Sequence, residues 1–227
     1  MSSITLKEIN NEHTLNIFTD ASIRAIQNGY IGCYGAIAVI GYTTIDESYV
    51  VTGYTTNNNS EIKAIREGIL LALKHGAGKT INIFSDSQIC ILGLRERILR
   101  WKLIGNQFIG SMGVISNQEI FMEIAQMILQ YNLHINLFHQ KGHIIFTAES
   151  LKQAQHVFRT SNGFRGVIDM NLIRYISNYN NYVDDETRKR LGRLMSCPCH
   201  DPIRFIPTPF DKQRYQTLVD NKYLHQN

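Results

Sequence analysis

The chain has 227 residues, 44% of them hydrophobic, enough for one domain of ordinary size with its own core and some length to spare. Its formal charge of +4 is a mild excess that suits an anionic partner. No run approaches the ~18 apolar residues of a membrane span, the polar stretch from Met1 to Glu12 is no secretory signal, and Cys33, Cys90, Cys197 and Cys199 make no disulfide framework, so a cytoplasmic protein is expected, with no membrane attachment.

Asn16 to Asp20 (Asn-Ile-Phe-Thr-Asp) reads as a short strand, and a loose loop runs from Ala21-Ser22 to Gly32. Cys33 to Ile40 reads as a buried strand, and Glu47 to Thr56 as a third, with separations short enough for antiparallel hairpins. The cluster Asn57-Asn58-Asn59-Ser60 signals a helix start, and Ile62, Ile65, Ile69 and Leu73 form one helical stripe, which puts Glu61 in the first turn. Gly76-Ala77-Gly78 ends this helix. Asn82 to Asp86 then repeats the first strand almost letter for letter, and nothing else in the chain echoes at a fixed period.

Ser87 to Trp101 is helical, with Ile91, Leu94 and Ile98 inward and Arg95, Arg97, Arg100 and Lys102 outward around the single Trp101. Such a face is commonly just solvated; it also suits a phosphate backbone and a stacked base. Ser116-Asn117-Gln118-Glu119 reads as a capping box for a helix carrying Ile120, Ile124, Met127 and Ile128. Leu133 to Leu137 reads as a fifth strand. His134 and His139 suit surface or packing positions, whereas His143 follows Gly142 on a hinged loop where an imidazole can act. Ile144 to Asn180 shows only a weak pattern, and a helical stretch runs from Val183 to Leu194. All four prolines fall after Met195. A domain over 1–195 and a tail over 196–227 are expected. Cys197, Cys199 and His200 lack the second ligand pair that a zinc site needs.

Side chains alternate along a strand, so Asp20 and Asp86 occupy equivalent places at the ends of two matching strands. An Asp after a strand often only starts a turn, and Glu61 by itself would only complement a helix dipole. The matched repeat points further. If the strands are parallel neighbours, two carboxylates meet at the sheet edge where α/β folds bind ligands, and a divalent cation relieves their repulsion. With Glu61 over the same edge, this is the acid cluster of a two-metal nuclease, for which Mg²⁺ is the natural ion and Mn²⁺ a substitute.

The sequence resembles type 1 ribonuclease H. The motifs are Phe-Thr-Asp20-Ala-Ser22, Tyr34-Gly35-Ala36, Thr55-Thr-Asn-Asn58 with Glu61, Ser85-Asp86-Ser87-Gln88 and Lys141-Gly142-His143, in the family's order. The resemblance implies an α/β fold with a mixed five-stranded sheet, three antiparallel strands plus two parallel, flanked by helices. It implies hydrolysis of the RNA strand of an RNA–DNA hybrid with two Mg²⁺ ions, leaving 5′-phosphate and 3′-hydroxyl ends. By the same resemblance Asp20, Glu61 and Asp86 are metal-binding acids and His143 the catalytic-loop histidine. Asn57, Asn58 and Ser22 contact nucleic acid, and Arg95, Arg97, Arg100, Trp101 and Lys102 form a basic handle. The fourth acid, about ten residues past the histidine in the family, is displaced here, so the resemblance implies an insertion within the 1–195 domain at about 144–180. Asp184 after Asn180 matches best, Asp185 comes second, and Glu149 and Asp169 remain open. A monomer is expected. The alternatives are a catalytically impaired hybrid-binding scaffold of the same fold and a nuclease of this fold acting on other nucleic acids.

Overall fold

The structure is a computed structural model that describes residues 4–195 apart from positions 28, 106 and 112, so the tail, with Cys197, Cys199 and His200, lies outside the described residues. A one-turn helix, α1 (Leu6–Ile9), leads into β1 (Thr14–Ile26), which pairs antiparallel with β2 (Gly29–Ile40), and β2 with β3 (Thr43–Thr52). Ala21 to Gly32 is therefore not a loop. It is the far half of a long hairpin that runs beyond the core, so its outer residues lose the burial pattern by which a strand is read.

The helix α2 (Asn57–His75) starts one residue after Thr56, whose hydroxyl accepts the Asn59 N–H at 3.2 Å. Glu61 consequently sits in the second turn, not the first. Next come β4 (Thr80–Ser85) and α3 (Gln88–Leu92), which continues as a π-helical turn over Gly93–Arg97 and a 3₁₀ turn over Ile98–Arg100. Gly93 is required there, because the Phe121 ring lies 2.6 Å from where a Cβ would be. A small antiparallel sheet follows, unforeseen from sequence: β5 (Lys102–Ile104), β6 (Gln107–Gly110) and β7 (Gly113–Val114).

The capping box expected before α4 (Gln118–Gln130) does not form. Asn117 is left-handed at φ 59°, its Oδ1 accepts from Asn59 at 2.9 Å, and Gln118 Oε1 accepts the Phe108 N–H at 2.6 Å. These polar groups fasten α4 to α2 and to the small sheet. After β8 (Ile135–His139) come α5 (Ala148–Ser161) and α6 (Met170–Met195). The segment 144–180 is thus ordered helix for most of its length. The last helix begins at Met170 and not near Val183, with Leu172, Ile173, Ile176 and Val183 buried along it.

The main sheet has the order β3-β2-β1-β4-β8, with β1, β4 and β8 parallel. Its register shows that the repeated peptide has a third copy. Asn16, Asn82 and Asn136 stand side by side, as do Phe18, Phe84 and Phe138. One face, carrying Ile17 and Ile83, packs under α2, α3 and α4. The other carries the phenylalanines and packs under α5 and α6. The phenylalanine rings stack at 4.9 and 5.3 Å. Beneath them the amides form a ladder: Asn136 donates to Asn82 (2.9 Å), Asn82 to Asn16 (3.0 Å), and Asn16 to the Ile9 carbonyl (2.8 Å). Buried amides survive in such a core because each finds a partner. No described helix is long and apolar enough to cross a membrane.

Candidate active site at the sheet edge

Asp20 continues β1 and Asp86 directly follows β4, so the parallel register delivers both carboxylates to the same edge of the sheet. Glu61 reaches that edge from α2. Ligand oxygens of the three lie within 4.8 Å of one another. Asp20 is 2% exposed and Glu61 5%. Burial is the largest cause raising the carboxyl pKa of each; the charges of Asp86 and Asp184 add to it at Asp20, and those of Asp20, Asp86 and Asp184 at Glu61. Burial also raises Asp86, opposed by the nearby His143. Asp20 Oδ1 accepts the Ala21 N–H at 2.7 Å, yet Asp20 Oδ2 and Glu61 Oε2 are buried with no hydrogen-bond partner. Orphaned, crowded carboxylate oxygens are the donor set that a hard divalent cation takes, so the residues present fit such an ion.

The loop that follows β8 meets this cluster. Gly142 lies so close to Asp86 that a Cβ there would collide with Oδ2, which restricts the position to glycine. His143 follows in a left-handed conformation at φ 53°. Its Nδ1 is 3.0 Å from Asp184 Oδ2 and also 3.0 Å from an Arg188 Nη. A ring nitrogen either donates or accepts: as a donor Nδ1 binds Asp184, and as an acceptor it takes the Arg188 N–H. Asp184 is 5% exposed and is gripped by Arg188 Nε at 3.0 Å, one turn along α6. Asp185, the other candidate, is exposed. Glu149 is exposed at the start of α5, and Asp169 caps the Asn171 N–H just before α6.

Four further side chains, Asn180, Asn181 and Thr187 of α6 and Gln140 just past β8, hold this corner together; the sequence singled out only Asn180 among them, as the start of the Asp184 motif. Asn181 takes the main chain of Ile144 from both sides, accepting its N–H at 3.2 Å and donating to its carbonyl at 2.7 Å. Gln140 donates to Asn180, and Thr187 meets the Ser22 hydroxyl at 2.9 Å. The available signal was the spacing of Asn180, Asp184, Thr187 and Arg188 on one helical face. It becomes visible once α6 is known to begin at Met170.

A family model described as RNase H matches residues 12–150. The chain belongs to the ribonuclease H family. Ribonuclease H of Thermoanaerobacter sp. strain X514 is 30% identical over 137 residues, covering 59% of this chain and 81% of the relative; that of Thermoanaerobacter pseudethanolicus gives the same figures. Among solved structures, the RNase H domain of PFV superposes with a TM-score of 0.50 at 17% identity, over 72% of this chain and 99% of that domain. The foamy viral protease-reverse transcriptase gives 0.51 at 14% identity, over 66% of this chain and 20% of that one. The last two establish the fold. The family match establishes a nuclease of the hydrolase class, and it stops three residues into α5.

Within this ribonuclease H framework the expected nucleic-acid contacts divide into two groups. Asn57 and Asn58 are exposed at the start of α2, and Arg97, Arg100 and Lys102 are exposed along the handle. The other three are engaged within the protein. Ser22 is bonded to Thr187. Trp101 is half-buried, its ring edge-on to Phe121 at 5.2 Å, because the small sheet folds back over it. Arg95 donates to Ser161 O (2.9 Å) and to Asn162 Oδ1 (3.2 Å), so it ties the handle to α5.

Proposed function

We propose that this chain is an endoribonuclease that cleaves the RNA strand of RNA–DNA hybrids, leaving 5′-phosphate and 3′-hydroxyl ends, with two divalent ions held by Asp20, Glu61, Asp86 and Asp184. The observation that carries the reading is the set of three carboxylates within 4.8 Å, two of them with orphaned oxygens. Mg²⁺ suits such oxygen donors, with Mn²⁺ as substitute. Bound ions would supply an activated water and charge neutralisation for an in-line phosphodiester displacement.

The chain's own residues do the rest. Asp184 orients the His143 ring through Nδ1, leaving Nε2 of a side chain that is 62% exposed free to handle water or product. Asn57 and Asn58, exposed at the start of α2, are available to RNA 2′-hydroxyls, the group that separates RNA from DNA. The ribonuclease H relatives support the hybrid as substrate. The test is cleavage of an end-labelled hybrid in Mg²⁺, in EDTA, and by Asp86→Asn. Metal-dependent cutting of the RNA strand, lost in the variant, is expected. Tight binding without cutting in either metal would instead favour a non-catalytic scaffold.

A further inference from the structure

The helix α5 lies almost wholly beyond the matched family segment, and it is pinned at both ends to the rim of the acid cluster. Near its start, Lys141 of the catalytic loop donates to Gln153 at 3.2 Å. At its end, Asn162 clasps His139 of β8, accepting its N–H at 2.9 Å and donating to its carbonyl at 2.7 Å. Arg95 of the handle closes on Ser161 and Asn162 from the other side. Leu151, Ala154 and Phe158 bury the inner face. The helix therefore bridges the loop that carries His143 and the turn that carries Arg97.

Its outer face is basic. Lys152, His156 and Arg159 fall at i, i+4 and i+7, so they share one side, and all three are exposed. Among the described residues none of them has an ion-pair partner. Between positions 141 and 165 there are four Lys or Arg (Lys141, Lys152, Arg159, Arg165) and one acid, Glu149, a net +3 in a chain of +4. Like the handle over 95–102, which also carries a net +3 (Arg95, Arg97, Arg100 and Lys102 against Glu96), this stretch places positive charge beside the site. The rise from Lys152 to Arg159 is about 10 Å at about 1.5 Å per residue, long enough to meet more than one phosphate of a strand, whose charges recur about every 3.4 Å of helix axis.

We infer that the outer face of α5 is an additional binding surface for the phosphate backbone of the substrate, extending the track from the catalytic loop toward the handle. This rests on the hybrid reading above. The occupant is a polyanion with regular charge spacing, bound without base contacts, so the surface adds affinity and leaves sequence preference unchanged.

The test compares wild type, K152Q/H156Q/R159Q and K152R/R159K. Hybrid binding is followed in EDTA across a salt series, and cleavage is measured separately in Mg²⁺. For the neutralised variant the slope of log affinity against log salt should fall by about 2, at about 0.7–0.9 per phosphate contact. KM should rise about tenfold with kcat unchanged, since the lost interactions are made equally before and during reaction. K152R/R159K should behave as wild type. An unchanged slope in the neutralised variant overturns the inference and leaves this face to a protein partner, as would an equal loss in K152R/R159K. Wild type that binds the hybrid without cutting it refutes the activity, while the salt series still decides the surface.

Discussion

Glu61 has the least of the three clustered acids to gain from being ionised. Its causes of shift all act one way: burial first, then the charges of Asp20, Asp86 and Asp184. Its Oε2 is buried without a partner. Two unit charges no more than 4.8 Å apart repel by at least about 3 kcal/mol at an effective dielectric of about 20. The cluster escapes part of this by retaining a proton, so Glu61→Gln should stabilise the metal-free protein by about 1–3 kcal/mol, or roughly 3–8 °C in Tm at this chain length. The folded-state pKa is raised above the ordinary 4.5, so the ionised group costs the native state increasingly as pH rises from that value through the folded one. The advantage of the amide should vanish near pH 4.5 and be full above the folded pKa. Thermal unfolding in EDTA over a pH series measures it. Added Mg²⁺ should stabilise wild type far more than the variant, because only the native carboxylate set binds the ion. A variant less stable than wild type in EDTA at high pH, or an equal response of both to Mg²⁺, would refute the account of the cluster as a cation site held in tension.

Three other substitutions probe separate links. Asn181→Ala frees the Ile144 main chain and should lower kcat about tenfold with hybrid binding kept; in a His143→Ala background it should have little further effect, and additive losses in that double-mutant cycle would show that Asn181 does not act through the histidine. Asn82→Leu breaks the amide ladder, orphans groups on Asn16 and Asn136, and should cost about 2–4 kcal/mol in urea unfolding. Asp46 accepts from His75 and then Lys74, both at 2.7 Å, which holds its carboxyl at about 2, below the ordinary 3.8. Its contribution is present above pH 3.8 and is lost as pH falls toward about 2. Asp46→Asn should therefore flatten the acid limb of the stability curve, and an unaltered limb would show the contact to be idle.

Much of the site was legible because its residues sit where local rules act. The repeated Asn-Ile-Phe peptide marked both aspartate strands, and the Asn-rich cap marked the helix of Glu61. The third copy, Asn136-Leu137-Phe138, escaped notice because it ends in His139-Gln140, where the others end in a hydroxyl residue and Asp. Register, a long-range property, exposes it. The onset of α6 was hidden by Asn171, Arg174 and Asn178, which dilute an apolar stripe that only α5 and the phenylalanine face complete. Trp101 looked like a stacking surface because no local signal announces the three short strands that half-cover it.

The amide ladder has a consequence for how the acids can change. Asp20 and Asp86 stand four residues beyond Asn16 and Asn82 on adjacent parallel strands, and such strands lie about 4.8 Å apart by backbone hydrogen bonding alone. The backbone separation from which the two carboxylates project is thus set by the pitch of the sheet at Thr19 and Ser85. Trimming a core phenylalanine would weaken the domain without respacing the acids. A slip of register by one residue would turn every side chain of the strand to the wrong face and open the ladder. Activity in this enzyme should therefore persist through gradual repacking and disappear only when the strands themselves part.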